Sequence, residues 1–158
     1  MPSVFHLPDT RRRIENYTPR SIRVAIARRT RHDIERYARA DAVALTERIA
    51  ELDREWDVER WIAAEAPLTI LAGVALAGTV DRRWLLLSGF AASMLIVHGF
   101  TGWYPLLPVL RRAGVRTTAE IAAERYALQR LRGDFDTIDR DAAPETRARQ
   151  ALAAAETT

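Results

Sequence analysis

The residue of this sequence with the clearest chemical potential is His98, which lies in a long apolar run near the middle of the chain. An ionisable side chain in such a run is costly, and it marks a functional position by default. Glu65 is the acid of the preceding apolar run. If the chain turns at Arg82, Glu65 and His98 lie at nearly the same distance from the turn. We therefore predict a hydrogen bond between Glu65 and His98 that joins two helices.

A second interpretation gives His98 a ligand. Its imidazole could bind the metal of haem or of a chlorophyll-type pigment, and aromatic residues occur around it. Met94, four residues earlier, stands where a small side chain would help a macrocycle to approach. Both interpretations stay open at this point, and the leading one requires no cofactor.

Other catalytic patterns are missing from the sequence. It has no cysteine, which excludes thiol nucleophiles, disulfides and thiolate metal sites. It has no glycine-rich phosphate loop, no nucleophile elbow and no close pair of histidines or carboxylates at metal-ligand spacing. We expect a protein that is not an enzyme and has no metal site.

Two apolar segments position Glu65 and His98. Residues 62–80 contain one charged side chain, and residues 84–104 contain none that is permanently charged. As helices, each would extend roughly 30 Å at ~1.5 Å per residue, which matches the hydrocarbon core of a bilayer. We therefore predict an all-α membrane protein with a two-helix transmembrane hairpin over residues 61–110. The alternative is a soluble bundle that buries both segments.

Aromatic and basic residues flank the two segments. Four aromatic residues are predicted to anchor the hairpin at the membrane interfaces: Trp61, Trp84, Trp103 and Tyr104. Seven arginines flank the hairpin on its outer sides, against two in its turn. The positive-inside rule then predicts a multi-pass protein of a bacterial inner membrane with both termini in the cytoplasm.

Small residues recur at every fourth position in both segments. Such spacing lets helix backbones approach closely, although it also arises by chance in a sequence rich in alanine and glycine. The predicted packing positions are Thr69, Gly73 and Ala77 in the first segment, and the pairs Ser88/Ala92 and Gly89/Ser93 in the second.

Residues 21–60 are predicted to be a cytoplasmic amphipathic helical region, in which one long helix, over residues 31–61, carries one apolar stripe. The stripe consists of Leu45, Ile49, Leu52 and Trp56. We expect it to face another helix, either of the same chain or of a second copy. The alternative is a helix that lies on the lipid surface, which the many acids of this region disfavour.

Three further regions complete the predicted organisation. Residues 1–20 are expected to form a flexible arm, and residues 136–158 a polar tail. Residues 111–135 are predicted to contain a second cytoplasmic helix, with a capping box at Thr117 and Glu120 and a stop at Gly133.

The overall charge argues against a nucleic-acid partner. The chain has 24 basic residues, all of them arginine, and 21 acids, for a formal net charge of +3. Acids and arginines are mixed along the first 60 residues, whereas a nucleic-acid tail would have charges of one sign. The partners expected from the sequence are the lipid bilayer and other membrane proteins.

Four motifs, in this order, resemble those of bacterial inner-membrane proteins with a YgaP-like transmembrane domain. They are IAELDREWDVER, VDRRWLLL, HGFTGWYPLLPVLRRAGVRT and AERYALQRLRGDF, and the match covers about residues 22–135. The resemblance implies a membrane hairpin that tends to self-associate, with cytoplasmic flanks and no assigned activity in most members.

The chain departs from this family at two points. Some relatives carry a rhodanese sulfurtransferase domain, and this chain has neither that domain nor a cysteine, so the activity is not carried over. Many relatives have cysteine where Tyr104 stands. Gly102, Trp103 and Pro105 match as structural residues. The expected role is that of a structural or accessory subunit that self-associates or joins a larger membrane complex.

Overall fold

The structure is a computed structural model that describes residues 13–156, so residues 1–12 of the predicted N-terminal arm lie outside the described range. Within that range the secondary structure is entirely helical. The α-helices are α1 (Arg20–Tyr37), α2 (Ala42–Arg54), α3 (Val58–Thr79), α4 (Leu85–Thr101), α5 (Leu107–Arg112), α6 (Thr118–Arg132) and α7 (Pro144–Glu156). Two short 3₁₀ helices occupy Glu15–Tyr17 and Arg82–Trp84.

Two aspartates interrupt the region that the sequence predicts as one long helix. The side chain of Asp41 accepts a 2.9 Å hydrogen bond from the amide of Ala44 and begins α2. The side chain of Asp57 accepts a 2.7 Å bond from the amide of Arg60 and begins α3. Each aspartate accepts a hydrogen bond from a backbone amide that has no carbonyl partner within its own helix. Each therefore caps the start of a new helix.

The described residues divide into two compact units. Unit 1 consists of residues 13–26 and 56–119, and unit 2 of residues 27–55 and 120–156. The helical hairpin and α5 belong to unit 1. The amphipathic helices α2 and α6 belong to unit 2.

The core of unit 1 is formed by the first half of α3, the exit from α4, α5 and the short N-terminal segment. Its buried apolar residues are Ile14, Val58, Ile62, Ala66, Tyr104, Leu107 and Leu110. Residues 13–18, which the sequence assigns to a flexible arm, are thus packed in unit 1, because the side chain of Ile14 enters this core and that of Thr18 is also buried.

The hairpin packs most closely where Gly73 of α3 meets Ser88 of α4. The Ser88 hydroxyl donates a 2.9 Å hydrogen bond to the carbonyl oxygen of Ile70. A Cβ atom on Gly73 would overlap the Ser88 hydroxyl and lie 3.0 Å from the carbonyl oxygen of Trp84. Absence of a side chain at Gly73 therefore permits the close approach of the two helices.

The other predicted packing positions have different surroundings. Thr69, Ala77 and Ala92 are half-buried, whereas Gly89 and Ser93 are exposed. Ser93 donates its hydroxyl to the carbonyl of Gly89 within α4, and no atom lies within 4 Å of a Cβ built on Gly89. The Gly89/Ser93 pair therefore faces away from α3.

The chain leaves α4 through a sharp corner. Gly102 has a left-handed backbone, with φ of 82°, and its amide bonds to the carbonyl of His98. A Cβ atom there would lie 2.7 Å from Cγ of Arg13. Both observations require glycine at this position. Pro108 then lies in the first turn of α5, where a missing amide proton costs nothing.

Unit 2 buries the apolar stripe predicted on α2 against α6. Three residues of the stripe, Leu45, Ile49 and Leu52, pack in one cluster with Ile121 and Leu128. The partner helix is thus supplied by the same chain. The fourth predicted residue, Trp56, is not in this cluster. It lies beyond the end of α2 in unit 1, where its exposed ring packs edge-to-face with Trp61 at 5.1 Å.

Candidate functional site

Five ionisable residues of unit 1 meet near the start of α3 and the end of α4. Glu59, in the first turn of α3, accepts hydrogen bonds from two sides. The guanidinium of Arg13 reaches Oε1 at 2.7 Å, and Nε2 of His98 lies 2.9 Å from Oε2. Arg13 also donates to the carbonyl oxygen of Gly99 at 3.0 Å. One carboxylate thus joins the N-terminal segment to both helices of the hairpin.

A second carboxylate, Glu65, lies one to two turns deeper on α3. The hydroxyl of Tyr104 donates to Oε2 of Glu65 at 2.7 Å, and the hydroxyl of Thr69 donates to Oε1 at 2.7 Å. The rings of His98 and Tyr104 are in edge-to-face contact with their centroids 5.9 Å apart. These contacts make Arg13, Glu59, Glu65, His98 and Tyr104 one connected group, which we call the polar cluster.

The predicted hydrogen bond between Glu65 and His98 is therefore not formed. Ser88 of α4 lies opposite Ile70 of α3, which sets the register of the antiparallel pair. His98 is ten residues after Ser88, and Glu59 is eleven residues before Ile70. The turn assumed at Arg82 lies about three residues too late in the chain, and this shift exchanges Glu65 for Glu59 as the partner of His98.

His98 is buried, with 4% of its surface exposed, and its Nε2 is used by Glu59. Its Nδ1 and the Nε of Arg13 are buried and have no hydrogen-bond partner among residues 13–156. Haem and pigment ligation requires an imidazole nitrogen that is open to a large ring. In the structure Nε2 of His98 is bonded to Glu59 and Nδ1 is buried, so neither nitrogen is open to a large ring and the cofactor interpretation is not favoured.

The predicted interfacial aromatics fall into two groups. Trp61, Trp84 and Trp103 are exposed, as an interfacial anchor requires. Tyr104 is only 4% exposed and is a core residue, which corrects its predicted role as an anchor. The reason is its hydroxyl, which reaches Glu65 across the corner after α4. This bond lets a phenol be buried without an unsatisfied donor.

Sequence reasoning did not find the residues that fix the N-terminal segment. Arg111 is completely buried in unit 1. Its Nε donates to the hydroxyl of Thr18 at 3.1 Å, and its Nη1 donates to the carbonyl of Val115 at 2.8 Å. The Thr18 hydroxyl also donates to the carbonyl of Ile14 at 3.0 Å. In the sequence, Arg111 is one of several arginines after an apolar segment and carries no sign of this role.

Unit 2 holds its charged residues in ion pairs. Glu124, completely buried on α6, accepts from Nε and Nη2 of Arg48 at 3.0 and 2.9 Å. Asp53 accepts from Arg125 at 2.8 Å. The guanidinium of Arg132, the last residue of α6, donates hydrogen bonds to the carboxylate of Asp134, and these bonds raise its pKa above the ordinary value. These arginines stabilise the packing of α2 and α6.

The polar cluster brings two carboxylates together with an imidazole, a guanidinium and a phenol. No group of three or more histidines, cysteines or acids in the described part of the chain is arranged to hold a metal ion. Arg13 and His98 donate to one carboxylate, and Thr69 and Tyr104 donate to the other, so the acids are engaged by neighbouring side chains. Such an arrangement orients helices.

Comparison of the chain with models of protein families, with curated proteins and with solved structures finds no match. The candidate function therefore depends on the residues and geometry described above. The structure does have two helical stretches, one ending at Thr79 and the other spanning Arg82–Thr101, that are long and apolar enough to cross a membrane.

Proposed function

We propose that this chain is a two-pass protein of a bacterial inner membrane, related to the YgaP-like family, with both termini in the cytoplasm. Its role is structural or accessory and involves no catalysis. It self-associates or joins a larger membrane complex through the hairpin.

The observation that carries this proposal is the exposure of the two apolar helices. The core helix of a soluble protein can be equally long and apolar, but such a helix is mostly buried. In each of the two helices, 17% of the apolar 18-residue stretch is buried. Large apolar side chains project outward along both helices of unit 1: Leu68, Leu71, Val74, Leu86, Phe90, Ile96 and Phe100. A belt of this kind requires lipid or protein to cover it.

The two units supply different surfaces for association. The apolar stripe of α2 is already covered by α6 within unit 2, so it offers no apolar face to a partner. The exposed belt of the hairpin includes Gly89 and Ser93, whose small side chains let another helix approach. We therefore assign association to the outer face of α4.

Membrane insertion is tested by washing membranes from expressing cells with alkaline carbonate. We expect the chain to stay in the pellet. A variant with Leu71→Arg and Phe90→Arg should move to the supernatant or be degraded, because each arginine at the centre of a span costs ~2.5–3.5 kcal/mol. The matched control, Leu131→Arg and Leu152→Arg, changes exposed leucines outside the hairpin and should stay in the pellet. Recovery of the unchanged chain as a soluble monomer would refute the proposal.

Orientation is tested with single cysteines, since the chain has none of its own. A membrane-impermeant maleimide should label Asp81→Cys, in the turn between α3 and α4, in intact spheroplasts. It should label Thr137→Cys, after α6, only when the membrane is opened. The reverse pattern would show the opposite topology.

Association is tested by purification in a mild detergent followed by mass spectrometry and light scattering. We expect a dimer or larger species, or a co-purifying membrane protein. Gly89→Leu should weaken that association without loss of the folded monomer. A monodisperse monomer without a partner in both detergent and nanodiscs would contradict the role in assembly.

A further inference from the structure

At one end of unit 1, the charged residues of the described chain that are exposed are all arginines. This end contains the first turn of α3, the corner after α4, α5 and the N-terminal segment through the start of α1. Its exposed charged residues are Arg20, Arg23, Arg60 and Arg112, which we call the arginine rim. The acids of the same end, Glu15, Asp57 and Glu59, are half-buried.

Two of the three acids of this end, Asp57 and Glu59, are engaged by groups of unit 1. Glu59 accepts from Arg13 and His98, and Asp57 caps α3 and accepts from the hydroxyl of Thr118. Within residues 13–156, no acid forms an ion pair with an arginine of the rim. Arg60 lies over the ring of Trp56, 5.5 Å from its centroid, and this contact leaves its charge unneutralised.

The structure holds the N-terminal part of the arginine rim beside the end of α4, the second apolar helix. Arg13 bonds to the carbonyl of Gly99 in the last turn of α4, and Thr18 bonds to Arg111 in α5. The N-terminal segment is therefore held beside the end of the second span. α1 starts two residues after Thr18.

Exposed aromatic residues surround the rim. Tyr17 lies three residues before Arg20, Trp61 follows Arg60, and Trp103 lies in the corner after α4. Tyrosine and tryptophan are enriched at the membrane interface because their rings are amphipathic. Their position beside the four arginines agrees with a rim at headgroup depth.

We propose that the arginine rim binds the phosphate groups of anionic phospholipids in the adjacent leaflet. This inference depends on the proposed membrane function. A guanidinium donates two parallel hydrogen bonds to phosphate oxygens and stays charged at all physiological pH values. Basic residues beside a transmembrane helix attract anionic lipid within a Debye length of the surface. Four exposed arginines on one end of the hairpin meet both requirements.

The test is lipid selectivity of the full chain in reconstituted phosphatidylcholine vesicles. Spin-labelled phosphatidylglycerol and spin-labelled phosphatidylcholine are compared by the fraction that the protein immobilises. We expect the unchanged chain to prefer phosphatidylglycerol by about threefold at low salt and to lose the preference in 1 M NaCl, where the Debye length is about 3 Å. The variant with R20Q, R23Q, R60Q and R112Q should show a ratio near one.

Paired double variants give the control for net charge. R20Q/R23Q should reduce the preference, and R147Q/R149Q, which removes the same charge from α7, should leave it unchanged. Equal loss in these two variants would overturn the proposal, and so would a preference that only R82Q/R83Q removes. Circular dichroism of each variant verifies its helix content. If neither spin-labelled lipid is immobilised by the unchanged chain, the membrane placement itself is refuted.

Discussion

The hydroxyl of Tyr104 donates a 2.7 Å hydrogen bond to the carboxylate of Glu65, across 39 positions of the chain. Tyr104 follows the corner at Gly102, and Glu65 lies in the apolar part of α3. The bond therefore ties the exit of the hairpin to its first helix. It also provides a neutral donor for an acid that would be costly in an apolar segment.

Tyr104→Phe removes the donor and keeps the ring in the core. We expect it to lower the free energy of unfolding in mixed micelles by about 1–3 kcal/mol, because the Glu65 carboxylate loses one of its two side-chain donors. Titration with a denaturing detergent measures the loss. Tyr126→Phe changes an exposed phenol on α6 and serves as control. An equal loss of unfolding free energy in both variants would contradict the role assigned to the Tyr104 hydroxyl.

A double-mutant cycle separates the observed partner of His98 from the predicted one. Glu59→Gln and His98→Asn should couple by about 1–3 kcal/mol, since their side chains share a 2.9 Å contact. Glu65→Gln and His98→Asn should be close to additive, because these two side chains interact only through Tyr104. The four unfolding free energies of each cycle give the coupling. A larger coupling energy between His98 and Glu65 than between His98 and Glu59 would show that Glu65 is the partner, as the sequence predicted.

The sequence is most informative where one physical property dominates a whole segment. Length and lack of charge indicate the two apolar helices, and glycine and proline indicate the corner at Gly102 and Pro108. Asp41 and Asp57 are of a residue type that is preferred at helix N-caps. The periodicity of the apolar stripe nevertheless suggested a continuous helix through both. An error of about three residues in the turn was enough to select the wrong acid for His98, since neighbouring turns of a helix present different residues to a partner.

Other features depend on contacts between distant parts of the chain. Arg13 stands in a run of arginines, and its type alone does not distinguish solvent exposure from the observed bond to Glu59. The burial of Arg111 likewise requires Thr18 and Val115 to be brought to it by the fold. Spacing in the sequence therefore gives the depth of a residue along a helix, while the identity of its partner is set by tertiary packing.

Gly102 and Gly114 both have positive φ values, of 82° and 85°, but only Gly102 faces another segment. Alanine at either position costs about 1–2 kcal/mol for the left-handed backbone. At Gly102 the added Cβ would also lie 2.7 Å from Arg13, whereas at Gly114 it would meet nothing within 4 Å. We expect Gly102→Ala to reduce stability more than Gly114→Ala. Equal losses in thermal unfolding followed by circular dichroism would contradict the close contact with Arg13.

Gly73 and Gly89 provide the corresponding comparison inside the hairpin. Valine at Gly73 must displace Ser88, because a Cβ there already overlaps the serine hydroxyl, and it also threatens the bond from Ser88 to Ile70. Gly73→Val should therefore destabilise the monomer by about 1–3 kcal/mol or more, as overpacking does. At Gly89 no atom lies within 4 Å of an added Cβ, so Gly89→Val should leave the stability of the monomer nearly unchanged. If Gly89→Val is the more damaging variant in detergent-solubilised monomers, α3 packs on the other face of α4 and the register derived from Ser88 is wrong.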